Sequence, residues 1–226
     1  MHQINSESKN SVSESQCPDH LRAKRPAWMV WLGRTVLKVL GWRVIGKVPN
    51  VNKLIVIGAP HTSNWDFVLA MATLLGLNIK MHWMAKHTIF KSGFKRLLFW
   101  LGGIPTNRLN PELIVKNITE LVDKEGSFVL GLTPEGTRKK VKTWKTGFLR
   151  FSKNLECPIL MVGLNFPKKL VILGETFVPS GDNDNDLKKI KRYYEQFEGK
   201  NHPIDKSNSK SIRFIDAICR FDSFIT

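Results

Sequence analysis

His61 and Asp66 frame the segment His-Thr-Ser-Asn-Trp-Asp, directly after a short apolar run and directly before a helical pattern. A strand-to-helix junction presents polar side chains at the rim of a sheet. A histidine can take a proton from a hydroxyl at neutral pH, and a carboxylate on its far ring nitrogen fixes the tautomer and stabilises the imidazolium. These are two members of a nucleophilic triad, with a substrate hydroxyl standing where an enzyme serine would be. The competing explanation is purely local. Ser63 and Asp66 also fit the S-x-x-D capping box, which favours an acid in a first helical turn.

A second cluster, Thr133-Pro-Glu-Gly-Thr-Arg138, ends the apolar run Phe128 to Leu132. Pro and Gly make a tight turn there, and Glu135, Thr137 and Arg138 stand at the same kind of sheet rim as His61. Arginine suits bidentate phosphate binding and threonine adds a hydroxyl donor. Two further segments are weaker: Gly102 to Arg108, a glycine-containing run ending in arginine, and Cys157-Pro158-Ile159, where proline precedes an apolar run.

The elements that must position these groups follow from the pattern. Leu54–Ile57, Ile79–Met84, Phe128–Leu132, Ile159–Leu164 and Leu170–Leu173 read as strands. Trp65–Leu75, part of Phe94–Leu101, Asn110 to Gly126 and Asp186–Phe197 read as helices, the third opened by an N-cap asparagine followed by proline. This alternation predicts a single α/β domain with a mostly parallel or mixed sheet flanked by helices. Ahead of it, Trp28 to Ile45 reads as an amphipathic membrane-facing segment, with Trp28, Trp31, Leu32, Val36, Val39 and Leu40 near one face. Gly33 and Gly41 weaken that helix. The expected organisation is a disordered polar and basic tail at 1–27, the amphipathic segment at 28–45, the main domain at 46–200 and a C-terminal segment without an assigned role at 201–226.

Charge narrows the partners. The 226 residues carry 35 Lys and Arg against 19 Asp and Glu, a net +16, which asks for a polyanion. No acid occurs from Phe67 to Pro111 or from Gly136 to Leu155, and the second stretch holds Arg138, Lys139, Lys140, Lys142, Lys145, Arg150 and Lys153. No helix-turn-helix, RNP-like or zinc pattern accompanies the charge, so an anionic membrane surface is favoured over nucleic acid. Cys17, Cys157 and Cys219 form neither a disulfide framework nor a ligand cluster, and no metal or organic cofactor is expected. No apolar window reaches the ~20 residues of a spanning helix and no signal peptide is evident. The expected location is therefore cytoplasmic, peripheral on the inner face of a membrane.

In this order the segments resemble the glycerolipid acyltransferase family that includes the lysophosphatidic acid acyltransferases. Its blocks stand here as HxxxxD at His61 to Asp66, a glycine block at Gly103 to Arg108, PEGTR at Pro134 to Arg138 and a proline block at Pro158, over roughly Trp42 to Phe177. The resemblance implies that His61 is the general base and Asp66 its orienting partner. It implies that Arg108, Glu135, Gly136, Thr137 and Arg138 hold the glycerol phosphate of the acceptor. The acceptor hydroxyl would attack an acyl thioester directly, on acyl-CoA or acyl carrier protein, without an acyl-enzyme. Lysophosphatidic acid is the leading acceptor; another lysolipid or lipid-linked hydroxyl, or a catalytically silent membrane-binding relative, are the alternatives. Pro60 stands where the family often has Asn, Thr133 where it often has Phe, and Lys139 where Ser is common. Those departures bear on the acceptor rather than on the catalytic groups.

Overall fold

A computed structural model describes residues 11–91, 93, 95–106, 118–122, 124–139 and 141–201. Seven strands form one sheet: β1 (Arg43–Gly46), β2 (Lys53–Ala59), β3 (His82–Lys86), β4 (Gly103–Thr106), β5 (Phe128–Leu132), β6 (Ile159–Asn165) and β7 (Leu170–Phe177). Their order is β1-β7-β6-β2-β5-β3-β4. β6, β2, β5, β3 and β4 run parallel, whereas β7 is antiparallel to β6 and carries β1 parallel to itself. The sheet is thus mixed, within the expected class.

Apart from Lys53 at the start of β2 and Asn165 at the end of β6, strands β2, β5 and β6 are apolar along their length because both faces are covered. Along β2, Leu54 faces one core and Ile55 and Ile57 the other; Phe128, Val129 and Leu130 of β5 alternate in the same way. One face is covered by α1 (Ala27–Val39), α2 (Asn64–Gly76), the 3₁₀ turn His87–Lys91 and α3 (Lys95–Trp100). The other carries helical residues 118–122, α4 (Gly147–Asn154) and α5 (Asn183–Tyr194). The helix expected from Asn110 is described only from residue 118; its start lies outside the described residues, and its end at Gly126 is as expected.

Three differences from the sequence reading matter. Residues 11–26, expected as part of a disordered tail, are folded: Val12, Cys17 and Leu21 are buried, and Gln16 donates to the carbonyls of Val44 and Gly46. Polar and charged residues dominate the composition there, and the three apolar anchors are too sparse to register as a pattern. Arg43 to Ile45, expected as the end of the amphipathic segment, belong instead to the edge strand Arg43–Gly46. Gly33, expected to weaken α1, sits where α1 crosses α2: a Cβ there would lie 2.6 Å from the Gly76 nitrogen and 2.7 Å from the Ala72 carbonyl oxygen. Absence of a side chain is what permits this approach.

Candidate active site

β2 and β5 are neighbours running the same way, with Ile57 opposite Leu132. Their C-terminal ends therefore deliver the His61 loop and the Thr133–Arg138 turn side by side, at the rim where open α/β sheets bind ligands. β4 ends at Thr106 on the same rim, leading toward Arg108, which lies outside the described residues.

His61 Nδ1 lies 3.2 Å from Asp66 Oδ2, with the histidine partly exposed and the aspartate buried. In this geometry Nδ1–H faces the carboxylate and Nε2 is left to accept a proton. The carboxylate is held from all sides. Oδ2 also accepts from the backbone N–H of Thr62 at 2.5 Å and of Ser63 at 2.7 Å, while Oδ1 accepts from Ser63 Oγ at 2.8 Å. Burial alone would raise the Asp66 pKa, but the donors on His61, Ser63 and Thr62 together outweigh it and hold the carboxyl below its ordinary value. The capping explanation and the catalytic one are thus not alternatives. One carboxylate caps α2 and faces His61, because the cap fixes the loop on which the histidine stands.

The Thr133–Arg138 turn closes with the Gly136 N–H on the Thr133 carbonyl at 3.1 Å, and Gly136 takes φ +63°, a conformation glycine adopts readily. Glu135 Oε2 accepts the backbone N–H of His61 at 2.7 Å. Two loops 74 positions apart in sequence are joined by that bond. Burial raises the Glu135 pKa to about 7, against the pull of the His61 N–H. Thr137 is half-buried and Arg138 exposed, and Thr137 Oγ1 accepts the Lys139 N–H at 3.3 Å. The structure therefore brings His61, Asp66, Glu135, Gly136, Thr137 and Arg138 to one rim. Pro158 stands just before β6, which pairs with β2.

The sequence reading missed what lies over this loop. After α5 the chain returns across β6, burying Phe197 and donating from Phe166 N–H to the Glu198 carbonyl, and then runs over Thr62. Lys200 and Asn201 donate backbone N–H groups to Thr62 Oγ1 at 3.0 and 3.4 Å, and Asn201 Nδ2 donates to the Thr62 carbonyl at 3.0 Å. Polar residues around Gly199 carry no periodic signal by which this could have been found.

Cys17 and Cys157 are free and buried, and burial pushes both thiols up to about 11, which disfavours the thiolate at neutral pH. Cys219 lies outside the described residues. Among the described residues no group of three His, Cys, Asp or Glu is arranged to hold a metal ion.

The family model described as Acyltransferase matches residues 23–165. No curated protein matches the chain. Among solved structures, the 1-acyl-sn-glycerophosphate (LPA) acyltransferase PlsC from Thermotoga maritima has a similar fold. The TM-score is 0.52 at 17% sequence identity, over 74% of this chain and 76% of that one.

Proposed function

This chain belongs to the acyltransferase family, and from that premise we propose that it acylates a lysophospholipid hydroxyl, with lysophosphatidic acid the acceptor and phosphatidic acid the product. The observation that carries the reading is the His61–Asp66 pair at the C-terminal ends of β2 and β5, joined to the Glu135 turn through the His61 backbone. His61 Nε2 takes the acceptor's hydroxyl proton as its oxygen attacks the thioester carbonyl of acyl-CoA or acyl carrier protein. The tetrahedral intermediate then collapses, the C–S bond breaks, and the proton passes to the departing thiolate. Arg108, Gly136, Thr137 and Arg138 receive the acceptor phosphate. Glu135 fixes the turn against the His61 loop, and contacts phosphate only in its protonated form, since two anions repel.

The acceptor resides in a membrane, and one face of the molecule suits it. Trp28, Trp31, Leu32 and Val39 of α1, Trp65, Phe67 and Val68 of α2, Ile89, and Leu97, Phe99 and Trp100 of α3 are all exposed. They stand on the elements covering one face of the sheet, with Lys38, Lys95 and Arg96 exposed among them. Aromatic side chains mixed with cations fit an anionic interface. Among the described residues no helix is long and apolar enough to cross a membrane. Under this proposal the protein acts peripherally on an anionic leaflet, on the cytoplasmic side.

The direct test is transfer of labelled oleoyl groups from oleoyl-CoA to a panel of lysolipids by wild type and His61→Ala. Transfer to lysophosphatidic acid that the substitution abolishes is the expected result. A wild type that acylates a different lysolipid would refute the acceptor; one that acylates nothing, from CoA or carrier protein, would refute the reaction.

A further inference from the structure

We propose that the strap Gly199–Asn201 positions the catalytic loop, with Asn201 acting through Thr62 on the His61–Asp66 pair. The proposal rests on the reading of His61 as general base. Thr62 is the residue between the two: it follows His61 directly, and its N–H is one of the donors that hold Asp66 Oδ2. Its remaining polar groups are taken by the strap. The hydroxyl oxygen accepts the N–H groups of Lys200 and Asn201, and the carbonyl accepts Asn201 Nδ2. Thr62 is buried, so these bonds are made where water competes poorly.

Steric fit agrees with the polar fit. A Cβ on Gly199 would lie 2.6 Å from Thr62 Cγ2, 2.8 Å from Thr62 Oγ1 and 3.1 Å from Pro60 Cγ, so the strap's backbone lies flat against the loop. Lys200 Nζ stands 4.9 Å from the centroid of the Trp65 ring, on the first turn of α2, which fastens the strap on the far side of Thr62. The loop 60–63 is thus held between two supports of different origin. Glu135 grips the His61 N–H from one side and Asn201 grips the Thr62 carbonyl from the other. The peptide planes before His61 and after Thr62 are each pinned by one of these bonds, and the plane between them is pinned by the Thr62 N–H on Asp66 Oδ2.

The strap lies outside the residues 23–165 matched by the family model, and outside the four sequence blocks. It belongs to the part of the chain that the family model does not cover. Its consequence is kinetic: general-base catalysis depends on the imidazole's placement, and a misplacement near 1 Å can cost ~10²-fold in rate. On this proposal Asn201 acts on turnover through Thr62 and not on substrate binding.

The experiment compares full-length Asn201→Ala, Thr62→Val and Thr62→Ser with wild type. Asn201 is exposed, so its truncation leaves the core intact. For Asn201→Ala and Thr62→Val, kcat is expected to fall about tenfold or more, with the KM of both substrates near wild type. Thr62→Ser keeps the hydroxyl and should restore kcat. A second reading needs no substrate: amide hydrogen exchange over residues 58–66 should rise about tenfold in Asn201→Ala and stay unchanged in β5. Unchanged exchange and unchanged kcat would overturn the proposal. So would a loss shared by Thr62→Ser, or a loss tracking a lowered melting temperature, since those mark a merely structural contact. If wild type transfers no acyl group, the function proposed above fails, and the exchange comparison alone decides whether the strap holds the loop.

Discussion

At the scale of single residues, the site combines groups whose removal should separate stability from chemistry. His61→Ala leaves the Asp66 cap intact, so turnover should vanish with little change in urea midpoint. Asp66→Ala removes the acceptor of the Thr62 and Ser63 N–H groups as well as the partner of His61. It should cost about 1–3 kcal/mol in urea unfolding and about 10²-fold or more in kcat. Equal stability losses in the two variants would refute the dual role of that carboxylate. Because the folded Asp66 pKa is depressed, its contribution is present above the unfolded value near 3.8 and is lost as pH falls through the lower folded value. Glu135 behaves oppositely. Its carboxyl titrates near 4.5 unfolded and about 7 folded, so stability is full below the first value and is lost as pH rises through the second. Glu135→Gln keeps an oxygen for the His61 N–H and cannot ionise. Measured by urea unfolding, it should gain roughly 3 kcal/mol on wild type between acid and mildly alkaline pH. A constant difference across that range would show that Glu135 is not the group responsible.

At the scale of elements, the α1–α2 crossing shows what local propensity misreads. Gly33 looks like a defect when the helix is considered alone. In the fold it allows backbone to meet backbone at Gly76 and Ala72, and Gly33→Ala should therefore destabilise by about 1–3 kcal/mol in urea unfolding instead of raising helix stability. A stabilised variant would show that the helices adjust freely. The same contrast explains which parts of the chain were legible. β2, β5 and β6 are buried on both faces and read as continuous apolar runs, and the block spacing located His61, Asp66 and the Glu135 turn beyond strand ends that the sheet does bring together. β1 and β4 are four-residue edge strands, too short to show alternation, and β4 carries Pro105 where only an edge tolerates it. α4 was hidden within a basic run whose buried Phe148, Leu149 and Phe151 are interrupted by Arg150. The strap was invisible for a different reason: its contacts with Thr62 are backbone and amide hydrogen bonds across more than a hundred residues, and such pairings leave no trace in local composition.

At the scale of the whole molecule, the exposed aromatics, with Lys38, Lys95 and Arg96 among them, lie on one face of the sheet, and a second group of cations lies on the other. Apolar Trp28, Trp31, Val39 and Trp100 belong to the helices over one face. Exposed Arg150 and Lys153 of α4, and Lys188, Lys189 and Arg192 of α5, belong to the other, where Lys191 Nζ also donates to the Lys142 carbonyl at 3.3 Å. A flat surface touching the outer sides of α1 and α3 cannot also touch α4 and α5. The sequence alone suggests that basic residues and tryptophans hold the same membrane; the fold lets only one of these faces do so. Trp65, exposed on the first turn of α2, adjoins Asp66, so the apolar face runs up to the site; under the proposed function this is the route by which a lysolipid would reach His61 without leaving the interface. Substituting Trp28→Ser and Trp31→Ser together should reduce partitioning onto vesicles containing phosphatidic acid at least about tenfold. Arg150→Glu with Lys153→Glu should leave it nearly unchanged, although it alters net charge by four. Sedimentation of both variants at low and high salt distinguishes the two faces. If the charge reversal releases the protein and the tryptophan changes do not, the cationic side is the one that meets the membrane, and the route from bilayer to His61 must pass around the sheet's edge.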